Sequence, residues 1–236
     1  MKRLPIVLTL LLSVCGPAAA DDAKEIRALM ERSVNSVLDA LRDKGLEREA
    51  KKKKVMEVVD PLFDFRLMAK LVLGRAHWPK FDKGQQEEFT SLFVKQLRDS
   101  YFEKVELLTD EKVEFSAPEA LKDGKYQMLT HILSKGERYK LLYKLYEREK
   151  AWKVYDVEID GISLVRSYGG QYDQFLQTGT PAELLKKMRE KPLETPKDLQ
   201  EGGKKLKEKK EAQAAQPPKG EPDKSPEKVE PVQSPK

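Results

Sequence analysis

The segment Trp152–Tyr168, W-K-V-Y-D-V-E-I-D-G-I-S-L-V-R-S-Y, constrains this chain more than any other. It begins with the two-residue alternation of a strand, which places Trp152, Val154 and Asp156 on one face and Tyr155, Val157 and Ile159 on the other. Both faces are partly apolar. That predicts a strand lying between a core and a second apolar compartment. Asp160-Gly161 then breaks the pattern and turns the chain into a helix.

The rest of the chain supplies helices first and strands later. Ile26, Leu29, Met30, Val34, Val37, Leu38 and Leu41 keep helical spacing up to Gly45. A second helix is predicted over Glu47–Val59, ending before Pro61, and a third from an Asp64 cap to Gly74. Asp82 and Gln85 form a capping-box pattern ahead of a helix with Phe89, Leu92, Phe93, Gln96, Leu97, Tyr101 and Val105 on one face. Such a stripe is ordinarily core; here it is read as core and cavity wall together. Strands follow over Lys112–Ser116, Lys125–Ser134 and Arg138–Glu147, then the Trp152 strand, and their short connections imply antiparallel pairing. Thr180-Pro181 opens a last helix. The expected fold is α+β: N-terminal helices, a four-stranded antiparallel sheet, and C-terminal helices.

The ends carry different information. Lys2 and Arg3 precede an apolar run, Leu4–Val14, too short to span a bilayer, and Ala18-Ala19-Ala20 precedes Asp21-Asp22. Residues 1–20 therefore read as a secretory signal cleaved after Ala20. Cys15, the one cysteine, lies within it, so the mature chain has no thiol chemistry. The folded domain is expected over residues 21–191. Residues 192–236 are rich in Lys, Glu and Pro; from Lys197 onward only Leu199, Leu206, Val229 and Val232 are sizeable and apolar, so a disordered tail is expected. The dense Lys51–Lys54 run reads as a solvated helix face, with contact to anionic lipid head groups as the alternative. Nucleic acid is excluded as a partner by the lack of aromatic-interleaved basic patches.

W-K-V-Y-D-V-x-x-x-G-x-S-L-V, followed by Tyr168, Gln171 and Tyr172, resembles the signature of the MlaC-type, or toluene-tolerance, family of periplasmic phospholipid carriers. Leu73-Gly74, Trp78, Gln85, Phe89, Phe93 and Tyr101 are similar to a second pattern of that family, with one extra residue between Gly74 and Trp78. Ser167-Tyr168-Gly169-Gly170-Gln171-Tyr172 departs from the family's N-Y-R-x-Q-F, lacking its arginine and doubling a glycine. The resemblance implies an NTF2-like shape, in which the sheet is curved and the C-terminal helices enclose an apolar cavity, and a periplasmic location. It also implies a role in the Mla pathway, with phospholipid as cargo and membrane-bound ABC transporter subunits and an outer-membrane lipoprotein complex as partners. A monomer without cofactor is expected.

A carrier of this kind faces a definite cost. Two acyl chains of roughly 16 methylenes each, at about 0.8 kcal/mol per methylene, represent roughly 25 kcal/mol of gross transfer free energy. Only enclosure offsets this. The expected lipid-binding wall is Leu71, Val72, Phe93, Leu97, Tyr101, Met128, Ile132, Leu141, Tyr143, Val154, Val157, Ile162 and Val165. Hopanoid-like cargo, or a protein-binding adaptor without lipid, are the competing readings. An enzyme would need acid–base groups in the pocket; the candidates are His77, His131, Asp64, Asp156 and Asp160, all of which suit structural roles better. No metal-ligand spacing, nucleophile motif or phosphate-binding glycine loop is present.

Overall fold

The computed structural model describes residues 17–106, 111–134, 137–191, 194–197 and 199–200. The apolar run of the expected signal, Cys15, the Lys135-Gly136 turn and the tail beyond Gln200 lie outside these residues. Helix α1 spans Pro17–Arg42, across the expected cleavage point, and α2 spans Arg48–Leu62. Pro61 sits inside the last turn of α2, not beyond it, and the chain leaves the helix through a Phe63 N–H bond to the Val59 carbonyl of 3.1 Å. Helix α3, Phe65–His77, opens with Asp64 accepting from Leu67 N at 2.8 Å and kinks at Gly74, whose φ of 64° lies in the left-handed region. A short 3₁₀ turn, Trp78–Lys80, leads to α4, Lys83–Val105, and the Asp82/Gln85 capping box is present.

Among the described residues the sheet has six strands. Two of them, β2 (Glu119–Ala120) and β6 (Ile162–Ser163), are only two residues long and were not foreseen. The long strands are β1 (Lys112–Phe115), β3 (Lys125–Ser134), β4 (Glu137–Arg148) and β5 (Ala151–Ile159). Pairing is antiparallel in the order β1-β3-β4-β5-β6, with β2 on β3. Helices α5 (Leu164–Leu176) and α6 (Pro181–Glu190) complete the mixed α+β domain.

One irregularity reorganises β5. Lys144 pairs with Asp156 but Leu145 pairs with Val154, so Tyr155 has no partner across β4 and the strand carries a bulge. A bulge inverts the alternation downstream. Val154 and Val157, expected on opposite faces, therefore face the same way. The inner face of the sheet is continuous: Tyr126, Met128, Thr130 and Ile132 on β3 lie opposite Leu145, Tyr143, Leu141 and Tyr139 on β4. Val154, Val157 and Ile159 on β5 extend it. β5 thus has one apolar face and one polar face, which carries Asp156 and Glu158 beside Lys144 of β4.

The principal core joins the lower part of that face to α3–α6. Phe89, Phe93, Tyr168 and Tyr172 form its aromatic centre, with ring centroids 5.2–6.3 Å apart. Gly169 brings α5 against α3: a Cβ there would lie 3.1 Å from the Val72 carbonyl oxygen. The doubled glycine thus serves a close helix approach at its first member. The domain also continues past Lys191, the expected boundary. Leu199 is buried in the same core, and Gln171 Nε2 donates to the Glu194 carbonyl at 3.0 Å. Leu199 is the sizeable apolar residue that does this, but the charged residues around it hide the signal.

Candidate functional site

A second, smaller apolar cluster consists of Ala40, Leu41, Val55 and Phe102 with Val37, Met56, Val59 and Val105 against it. It holds the α1–α2 hairpin to the end of α4 and does not merge with the principal core. The space between the two clusters is a cavity of about 260 Å³. Its floor is the upper part of the inner sheet face, Ile132, Leu141, Tyr143, Val157 and Ile159. Its other walls come from Met30, Val34, Val37 and Leu38 of α1, Val55, Val59 and Leu62 of α2, and Leu97, Tyr101 and Phe102 of α4. Phe63, Phe65 and Met68 close one end, and Leu164 contributes from the start of α5.

The sheet face is therefore shared. Toward Tyr126, Met128, Leu145 and Val154 it is solid core, each residue at most 4 % exposed. Toward Ile132, Leu141 and Tyr143 the helices stand away from it. Packed interiors rarely leave voids larger than a water molecule, so an apolar space of this size is a feature of the fold, not slack in it.

The expected wall residues divide along that line. Leu97, Tyr101, Ile132, Leu141, Tyr143 and Val157 come together around the cavity. Val72, Phe93, Met128 and Val154 belong to the packed core instead, because each lies where helix and sheet are in direct contact. Ile162 and Val165 pack against that core at the β6–α5 junction, where the Asp160-Gly161 turn carries the chain past the cavity. Leu71 faces outward and is 42 % exposed, since Met68, Ala69, Val72 and Leu73 take the inner face of α3. The contribution of α1 and α2 was missed. Val34, Val37 and Leu38 were legible as a helical stripe, and Val55 and Val59 as part of a helix, but nothing in a stripe says whether it meets core or space.

Polar groups near the cavity are few. Burial pushes the Tyr143 hydroxyl pKa up, and that hydroxyl pairs with Thr130, which is itself 1 % exposed. Arg98 is the only charged residue on the wall, among those described. A shallower groove of about 390 Å³ shares Phe63 and Phe65 with the cavity and carries Asp64, Arg148, Glu149 and Lys153, two acids and two bases.

The residues considered for acid–base work hold structural posts. Asp64 caps α3 and also accepts from the Tyr146 hydroxyl and from Arg148 at 3.0 Å. Burial raises its carboxyl and these hydrogen bonds outweigh it, so the pKa lies below the ordinary aspartate value, while Tyr146 is pushed up to about 12 by burial and by Asp64. Asp156 is 5 % exposed, accepts from Ser163 Oγ at 2.7 Å and Val165 N at 3.1 Å, and so fixes the start of α5. Asp160, at φ 49°, closes the β4–β5 end through Lys140 N at 2.9 Å. His77 Nε2 pairs with Asp173 at 2.7 Å, and the His131 ring meets Arg138 at 3.2 Å. Burial and the Arg138 charge lower the His131 pKa. None of these residues lines the cavity, and among the described residues no group of His, Cys, Asp or Glu is arranged to hold a metal.

Three members of the lysine run of α2 are engaged within the domain. Lys51 donates to the Leu41 carbonyl, Lys52 pairs with Asp99 at 3.0 Å, and Lys54 approaches Asp43 at 3.6 Å.

The family model described as "MlaC protein" matches residues 31–190. The chain belongs to the MlaC family. Its structure is similar to that of a phospholipid-binding protein from Ralstonia solanacearum, solved in complex with a phospholipid. The TM-score is 0.62 at 24 % identity, covering 70 % of this chain and 94 % of that one. Comparison with curated protein sequences gives no match. Membership confirms the resemblance carried by Trp152–Tyr168, and the MlaC family is one of lipid-binding carriers. No helix among the described residues is long and apolar enough to cross a membrane.

Proposed function

We propose that this MlaC-family protein is a periplasmic shuttle for phospholipid. On this reading residues 1–20 direct export, and the domain carries lipid between inner and outer membranes, exchanging it with ABC transporter subunits on one side and an outer-membrane lipoprotein complex on the other. The observation that carries the reading is the apolar cavity between two separate hydrophobic clusters, bounded by helices on one side and half of a sheet face on the other. Solvent-tolerance phenotypes follow from such a role, through the lipid balance of the outer membrane.

Physical chemistry favours enclosure without catalysis. The cavity offers contact to hydrocarbon and almost no hydrogen bonding, so the acyl chains are held by exclusion from water. Ile26, Met30 and Leu62 anchor the far ends of the α1–α2 hairpin in the principal core, but its turn end is attached by a small cluster ringed with ion pairs, among them Arg48–Glu106 at 2.8 Å and Lys52–Asp99 at 3.0 Å. Exposed pairs of this kind contribute only about 0–1 kcal/mol each. The turn end of the hairpin is thus the part of the wall that costs least to displace when cargo enters. The test is organic extraction of the purified mature protein with mass spectrometry of the extract. Stoichiometric diacyl phospholipid is the expected result, and protein that carries no lipid after mild purification and takes none up from vesicles would overturn the reading.

A further inference from the structure

An arginine on an otherwise apolar wall has to dispose of five N–H donors. Arg98 disposes of few. Nη2 donates to Asp60 Oδ1 at 2.6 Å, linking α4 to α2. The guanidinium carbon stands 5.9 Å from the centroid of the Phe65 ring, and Nε is buried with no hydrogen-bond partner. The side chain is 37 % exposed, so the charge sits at the boundary between cavity and solvent. Arg48 and Lys52 of α2 are already paired with carboxylates of α4 and its C-cap, Arg48 with Glu106 and Lys52 with Asp99.

We propose that Arg98 receives the phosphodiester of a phospholipid whose acyl chains occupy the cavity. The inference rests on the carrier reading above and adds to it a specificity element. A guanidinium offers a planar fork that suits phosphate oxygens, and in this position it meets them where the hydrocarbon ends. Phe65 supports the plane of the fork. Asp60 is its partner in the lipid-free protein and a competitor for the phosphate, because two anions then share one cation. The cavity selects for acyl chains and Arg98 selects, among acylated molecules, those with an anionic diester.

The full chain, delipidated, is titrated with dioleoyl phosphatidylglycerol and separately with dioleoylglycerol in mixed micelles. Arg98→Gln is expected to weaken phosphatidylglycerol binding roughly ten- to a hundredfold, the worth of a charge-assisted hydrogen bond, and to leave dioleoylglycerol unchanged. Asp60→Asn is expected to tighten phosphatidylglycerol binding. A clamp with no role in recognition would make both variants weaken both lipids alike, and that result overturns the proposal. Circular dichroism checks each variant, and if Arg98→Gln does not fold, the direction of the Asp60→Asn effect decides. Inorganic phosphate should not displace the lipid; displacement at millimolar phosphate would assign the site to a free anion and overturn the proposal too. Wild-type protein that binds neither lipid overturns the carrier reading itself, an outcome distinct from equal binding of the two.

Discussion

Val154 and Val157 point to the same side of β5 although they stand three positions apart, because the bulge at Tyr155 removes one step of the alternation. Val154 is fully buried in packed core, whereas Val157 lines the cavity. The same division runs along β4, from Leu145 in the core to Tyr143 and Leu141 above the space. One sheet face does two jobs.

A paired substitution separates them. Tyr143→Glu and Val157→Glu should expel acyl chains yet leave the domain folded, because an emptied cavity admits water to hydrate the carboxylate. Leu145→Glu and Val154→Glu place the same charge where nothing can hydrate it, at a cost of several kcal/mol per ion, and should unfold the domain. Circular dichroism reports folding and lipid extraction reports occupancy. Folded Tyr143→Glu protein with a full complement of lipid would show that the cavity is not the cargo site. Truncations give the milder form: in lipid-free protein Leu145→Ala should cost about 2–5 kcal/mol by urea denaturation, and Leu141→Ala clearly less.

What sequence could and could not reveal follows from the same residues. The helices, the Asp64 and Asp82 caps, the four long strands and the antiparallel order were all legible, because each rests on local periodicity or on a local hydrogen bond. The bulge was not, since Trp152–Ile159 reads as an unbroken alternation and only the pairing with β4 exposes the extra residue. That single step inverted the assignment of the strand's faces. It gave the impression of two apolar compartments on opposite sides, when core and cavity in fact lie on one side. The wall residues from α1 and α2 were missed for a related reason: a stripe such as Val34-Val37-Leu38 records that a face is apolar and not how far away its partner stands.

The chain beyond Lys191 should matter for stability as far as Gln200. Leu199 is 4 % exposed in the principal core. Ending the chain after Lys191 removes it and should cost about 1–3 kcal/mol, the range for withdrawing one large buried aliphatic side chain. Ending it after Gln200 should leave both stability and bound lipid unchanged. Thermal unfolding of the two truncations beside the full chain checks this, and equal midpoints for all three would contradict it.

Gly169 and Gly170 are adjacent in α5 and should respond in opposite senses. A Cβ at Gly170 meets nothing within 4 Å, so Gly170→Ala gains helix propensity and should stabilise by about 0.5–1 kcal/mol. At Gly169 the new Cβ meets the Val72 backbone carbonyl at 3.1 Å, which cannot move without α3. Gly169→Ala should therefore give no gain and Gly169→Leu a clear loss. Urea midpoints with an unchanged slope would isolate the effect on stability.

The acid limb of stability should depend on Asp64. Burial works against its ionised form, but the Tyr146 hydroxyl, Leu67 N and Arg148 favour that form more strongly, and the folded-state pKa is lowered. A carboxylate whose pKa is depressed by folding contributes stability above its unfolded value, about 3.9, and loses it as pH falls through the lower folded value. The contribution is therefore whole at neutral pH and fades below about pH 4. Asp64→Asn keeps an oxygen for the α3 cap but gives up the charge that Arg148 and Tyr146 are arranged around. The variant should be less stable than the parent at pH 7, and the difference should shrink steadily from pH 5 to pH 2. A difference that stays constant across that range would mean that the carboxylate acts through shape alone, with its ionisation playing no part in holding α3 against β4 and β5.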